Sequence, residues 1–98
     1  MNLRVSFHER AEDELNDAAV FFEGKTAGLG VRFLATVEAA VARIGQHPQA
    51  SPVIRQNIRC KVLRQFPYSI MFSIKPDRIR ILAIAHHKRR PFYWRDRN

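Results

Sequence analysis

The spacing of apolar residues changes around Pro48. From Ala11 to Ile44 apolar side chains recur every three or four residues; after Pro48 they recur at every second residue. The first period suits one face of an α-helix, the second one face of a β-strand. Ala11, Leu15, Ala18 and Phe22, with Ala19 beside them, form one helical stripe, and Phe33, Leu34, Val37, Ala40, Val41 and Ile44 form another. Glu9, Glu12, Asp13, Asp17 and Glu23 take the other faces of the first helix, as solvating charges or as ion-pair partners for the basic strands. A Gly-rich link from Gly24 to Gly30 parts the stripes, so the spacing predicts a second helix over about Leu29–Gln46, ended by Pro48. Two amphipathic helices so joined form a hairpin whose stripes need a third surface to cover them.

The strands supply that surface. Leu3–Phe7 alternates apolar with polar residues, and Ser6 and Glu9 have the spacing of a capping box that would start the first helix there. Beyond Pro48, Val53–Gln56 and Ile58–Leu63 are short strand candidates, the second setting Ile58, Cys60 and Val62 against Arg59, Lys61 and Leu63. Phe66-Pro67-Tyr68 interrupts the run, Ser69–Ile74 resumes it, and Lys75-Pro76-Asp77-Arg78 suits a turn before Ile79–Ala85. The expectation is one α+β domain over residues 1–98, in the order β-α-α-β-β-β. Its helix pair would pack on one face of a mostly antiparallel sheet.

The charge is divided. Residues 1–38 carry four basic and seven acidic side chains, a net −3, whereas residues 39–98 carry thirteen basic and two acidic ones, a net +11. Such a field favours an anionic partner, whether acidic protein or nucleic acid. No apolar run approaches the roughly 20 residues of a membrane span, and the N-terminus lacks the pattern of a signal peptide. A single Cys60 cannot form an internal disulfide, which suits a reducing cytoplasm.

Few groups invite chemistry. His86 and His87 are adjacent, so on a strand they point to opposite faces and do not chelate one ion; Cys60 has no partner at zinc-like spacing. No metal or cofactor is expected. There is no Gly-x-Ser-x-Gly, and the segment Gly24–Gly30 lacks the order of a phosphate-binding loop. Metal-free RNA cleavage needs a base, cations around the phosphate and an acid. Arg59, Lys61, Arg64, Arg80, His86 and Tyr93 offer those types, with Arg80 and His86 sharing a face if the last strand is regular. As a binding surface, the candidates are Arg59, Lys61, Arg64 and Arg80, joined by Arg89, Arg90, Tyr93 and Trp94 of a cationic, aromatic tail. The tail's Pro91-Phe92-Tyr93-Trp94 core is also suited to folding back over one end of the hydrophobic core.

Several fragments occur together in an informative order. They are Ala11, Glu14-Leu15 and Ala18; Gly28-Leu29-Gly30 before Phe33-Leu34; His47-Pro48; Arg59-Cys60-Lys61-Val62-Leu63; and Phe66-Pro67-Tyr68-Ser69-Ile70. Ile79 to His86 follows, then Arg89-Arg90-Pro91, Tyr93-Trp94 and Arg97. On these the chain resembles toxins of the RelE/ParE superfamily of bacterial type II toxin–antitoxin modules, with the Phe-Pro-Tyr and His-x-x-Arg-x-Pro-x-Tyr-Trp pieces on the ParE-like side. The resemblance implies a toxin that inhibits DNA gyrase. It also implies a cognate antitoxin with an acidic C-terminal segment that folds on binding, giving a toxin–antitoxin hetero-oligomer. The RelE-like alternative is a ribosome-dependent endoribonuclease that cuts mRNA, and a further alternative is a basic nucleic-acid-binding module without toxicity.

Overall fold

The computed structural model describes residues 3–98. In chain order the elements are β1 (Arg4–Phe7), α1 (Glu9–Lys25), α2 (Leu29–Gln46), a 3₁₀ turn (Pro48–Ala50), β2 (Val53–Arg55), β3 (Ile58–Val62), β4 (Tyr68–Ile74) and β5 (Arg78–His86). All four strand candidates after the helices form, one more than the order β-α-α-β-β-β counts, and Gln56, at φ 49°, turns the chain with Asn57 between β2 and β3. The sheet order is β1-β5-β4-β3-β2; β1 runs parallel to β5 and the other pairs are antiparallel. No helix among the described residues is long and apolar enough to cross a membrane.

The first helix begins later than the capping-box spacing suggests. Ser6 and Phe7 remain in register with Arg80 and Ile81 of β5, and the His8 N–H still donates to the Ile81 carbonyl at 2.8 Å. His8 is therefore the cap, its Nδ1 accepting from the Arg10 N–H at 3.0 Å. The turn into α2 is held by a side chain of α1. Gly28, in the left-handed region at φ 86°, caps α2 without a side chain of its own, and the Glu23 carboxylate accepts from the N–H groups of Gly28 (2.7 Å) and Gly30 (2.9 Å). Gly30 sits where the helices meet most closely: a Cβ there would run into the carbonyl oxygen of Ala19.

The stripes predicted from spacing pack on one side of the sheet, the helix face. Ala11 and Ala18 of α1 and Phe33, Val37, Ala40 and Ile44 of α2 are buried against Ile70, Phe72, Ile79, Ile81 and Ile84. Phe22, Phe33, Phe66 and Tyr68 interlock there, with ring centroids 5.1–6.0 Å apart in mostly edge-to-face pairs. Burying a side chain such as Phe33 contributes about 2–3 kcal/mol over leaving it exposed.

A bulge re-aims the last strand. Met71 pairs with Ala83 but Phe72 pairs with Ile81, leaving Leu82 as the extra residue on β5. Ile79 and Ile81 before it and Ile84 after it face the helices, while Leu82, Ala83 and Ala85 join a second cluster on the opposite side. The expected common face for Arg80 and His86 is thereby broken. His86 lies with the helix-face ring of Tyr68, centroids 5.0 Å apart, and Arg80 lies on the other face.

Candidate functional site

After His86 the chain winds back through a succession of tight turns, with backbone bonds Arg89 N–H to His86, Tyr93 to Arg90, Arg95 to Phe92 and Arg97 to Trp94. This carries the tail across the second face of the sheet, the tail face. Trp94, only 3% exposed, packs there with Ile58, Leu82, Ala83 and Ala85 and stands edge-on to Phe92. The tail's aromatic core therefore closes the fold, as one of the two readings of the sequence had it.

Its polar groups converge on an acid that the sequence reading had placed only as part of a motif. β1 leaves the sheet at Phe7, so the edge of β5 beyond Ile81 has no neighbouring strand. Glu14 of α1 accepts from the Ile84 N–H of that edge at 3.0 Å, and Arg97 donates to the Leu82 carbonyl at 3.0 Å. Arg97 also grips both carboxylate oxygens of Glu14, at 2.9 and 3.0 Å, and the Tyr93 hydroxyl donates to Oε2 at 2.7 Å. Burial, then the hydrogen bond to Glu14 and its negative charge, push the Tyr93 phenol far above its ordinary value, against a smaller opposing pull from Arg89 and Arg97. Tyr93 is thus a neutral donor locked to a carboxylate. Glu14 lies three residues after Ala11 and four before Ala18, on the edge of the apolar stripe, and that position is the signal that could have found it.

The other candidates separate into three places. Arg80 bonds internally, to the Asn98 carbonyl (3.0 Å), the Phe7 carbonyl (3.0 Å) and Ser6 Oγ (3.2 Å), so it ties β1 to the end of the tail. Arg59 is on the helix face, opposite Phe72, and donates to the carbonyls of Ser51 (2.6 Å) and Gln49 (3.3 Å). Lys61, opposite Ile70, and Arg64 line one groove with Arg43 of α2, a residue the sequence reading passed over. Arg64 comes to the same side as Lys61 because β3 ends at Val62 and the chain turns before the alternation could carry it opposite.

In the tail, Arg89 and Arg90 are exposed, with the Arg89 guanidinium 3.8 Å from the centre of the Tyr93 ring. Beneath them runs a cleft of about 390 Å³ with Ile54, Val62, Met71 and Ala85 along its floor. His87 bonds to Ser69 Oγ at 2.9 Å, and His86 Nδ1 accepts from the Lys88 N–H at 3.0 Å. A last groove, about 330 Å³ and mostly apolar, is lined by Phe7, Leu15, Leu34, Val37 and Val41, where the hairpin meets β1.

Comparison with known proteins adds to this geometry. Residues 5–91 match the family model described as ParE toxin of type II toxin–antitoxin system, parDE. Among solved structures, the chain resembles one from the chromosomal ParDE TA system from P. aeruginosa, with a TM-score of 0.74. The alignment covers 86% of this chain and 95% of that one at 18% identity, a likeness of fold. No curated protein sequence matches the chain.

Proposed function

The chain belongs to the ParE toxin family of type II toxin–antitoxin systems, and from that membership we propose that it inhibits DNA gyrase by binding and is silenced by a co-encoded antitoxin. One observation carries the choice of binding over cleavage: the groups a ribonuclease would need do not converge. A metal-free cleavage site places base, acid and cations around one phosphate. Here Arg80 and His86 project from opposite faces of β5, Arg59 is engaged by the carbonyls of Gln49 and Ser51, and the Tyr93 hydroxyl is held by Glu14. Binding needs no such convergence.

The exposed Arg89 and Arg90 are tail groups open to a target, alongside the exposed Lys88 and Arg95, with Tyr93 and Trp94 holding the segment that presents them. The apolar groove at the hairpin, with Leu34 at its rim, suits an amphipathic helix of an antitoxin segment that folds as it docks.

Purified protein added to a gyrase supercoiling reaction should block it, and the cognate antitoxin should relieve the block. In cells, induction without antitoxin should give filaments with DNA breaks and intact messages. Messages cut at the ribosomal A site with supercoiling untouched would replace this reading with the endoribonuclease. Absence of growth arrest together with unimpaired gyrase would favour the non-toxic nucleic-acid-binding module.

A further inference from the structure

We propose that the outer face of α1 pairs with the same face of a second copy of this chain, the two helices crossing antiparallel between Val20 and Phe21. The face consists of Asp17, Val20, Phe21, Gly24 and Lys25, none of which lines the grooves or belongs to the tail assigned to partners above.

Exposed apolar surface is the first observation. α1 buries Ala11 and Ala18 in the core, with Leu15, Ala19 and Phe22 partly buried beside them. Val20 and Phe21 lie off that stripe, 73% and 57% exposed, and Val20 is the most exposed large apolar side chain among the described residues. At about 100° per residue they flank the ridge formed by Asp17 and Gly24. Phe21 is held in place, edge-on to Phe22 with ring centroids 5.5 Å apart, and the Lys25 ammonium rests 5.1 Å from its ring centre. Without a cleft, this surface offers no socket for a small molecule or an inserted side chain. It suits another helix laid across it.

The order of charge is the second, independent observation. Along the face the chain reads acid, apolar, apolar, base: Asp17, Val20, Phe21, Lys25. Asp17 and Lys25 lie about 5 and 7 Å to either side of the point between Val20 and Phe21. A second α1 turned end for end about that point sets its Lys25 level with Asp17, twice by symmetry, and its Phe21 against Val20. A parallel copy in register would set Asp17 on Asp17 and Lys25 on Lys25, so the charges select the antiparallel arrangement. Neither residue forms an ion pair among the described residues. Lys25 has a local role in the last turn of α1, where the helix dipole favours a cation, but Asp17 sits mid-helix and has none. Gly24 completes the fit, since the space where its Cβ would stand is open and the two backbones can approach there.

The two observations together specify the occupant, because the face is its own complement when reversed. The remaining acids of α1 do not oppose the pairing. Glu14 and Glu23 are turned inward, onto the Ile84 amide and the amides of Gly28 and Gly30. Helices crossing at the common angle of about 50° carry Glu9, Glu12 and Asp13 away from the other copy. One helix crossing buries less than the roughly 1,200 Å² of a stable interface, which places the dimer in the weak class, dissociating at about 10–300 µM.

The test is sedimentation equilibrium of the full chain from about 5 to 500 µM, with circular dichroism to check that each variant is folded. The mass should rise from 11.4 kDa toward twice that value as concentration increases. Asp17→Lys and Lys25→Glu, both at exposed positions, should each weaken association at least about tenfold. Mixed in equal amounts, the two variants should associate with close to the parent's affinity. The lysine introduced at position 17 then meets the glutamate introduced at position 25, and the native pair meets across the other half. That rescue separates a direct contact from a general effect on α1. A mass of 11.4 kDa throughout the range would overturn the proposal. Undiminished association in either charge variant would overturn it too, as would a mixture that associates no better than its components. A monomeric parent whose charge variants lose affinity for the antitoxin would overturn it in favour of the antitoxin as the occupant.

Discussion

Glu14 shows how much of this fold hangs on a single carboxylate. Its two oxygens receive four donors: the edge amide of Ile84, the Tyr93 hydroxyl and both terminal nitrogens of Arg97. The side chains of the pair are 16% and 10% exposed, so solvent replaces little of what the carboxylate provides. Glu14→Ala leaves a guanidinium, a phenol and a strand amide without their acceptor, and should cost about 3 kcal/mol in urea denaturation. Tyr93→Phe keeps the Arg97 pair and loses one bond, so about 1–2 kcal/mol is expected. A larger loss for Tyr93→Phe than for Glu14→Ala would show that the phenol hydroxyl, not the acid, organises the tail. The sequence places an acid at the margin of a helical stripe, but it cannot say what the acid meets, because Arg97 lies 83 residues away.

At the level of elements, the helical hairpin was legible and the faces of the strands were not. The stripe through Phe33, Val37 and Ile44 needs only the 3.6-residue period to be read, and these residues are buried as that period demands. Strand faces depend on register, and one extra residue inverts everything after it. Leu82 is that residue, which is why regular alternation puts Arg80 and His86 together and the folded chain does not. The link between the helices carries two tests. Gly30→Ala forces a methyl group against the Ala19 carbonyl, and the helices must separate to admit it, so about 1–3 kcal/mol of destabilisation is expected in thermal or urea melts. Glu23 gives a pH dependence. The Gly28 N–H, assisted by Gly30 and Val31 and opposed by desolvation, holds its carboxyl below the ordinary 4.5. A depressed carboxyl stabilises the fold fully above its unfolded value and loses that contribution as pH falls through the lower folded value. Glu23→Gln should therefore melt earlier than the parent at pH 7, with the gap closing as the pH drops below about 4.5. A gap that persists unchanged at low pH would mean that the charge of Glu23 is not what secures the link.

The whole molecule is a sheet covered on one face by helices and on the other by its own tail, and its charge is arranged along the same division. The segment containing β1, α1 and the start of α2 is net −3, while the rest, containing β2 to β5 and the tail, is net +11. Of the basic groups, Arg59, Arg80 and Arg97 are engaged inside the fold, so their charge is tied to structure. Arg43, Lys61, Arg64, Arg89 and Arg90 form no ion pair among the described residues, nor do Arg55, Lys75, Lys88 and Arg95, and together they carry the part of the field a partner meets. Long-range attraction of this kind acts on encounter more than on the docked complex, and it fades once the separation exceeds a screening length of about 10 Å at 0.1 M salt. Stopped-flow association with the antitoxin should therefore slow by about tenfold or more between 50 and 500 mM salt, with a smaller change in dissociation. Reversing Arg43 and Arg64 should flatten that dependence, whereas Gly30→Ala, which changes no charge, should leave its slope intact. Equal salt slopes for the parent and the reversed protein would place the steering charge elsewhere, and Arg89 with Arg90 on the tail would be the next pair to reverse.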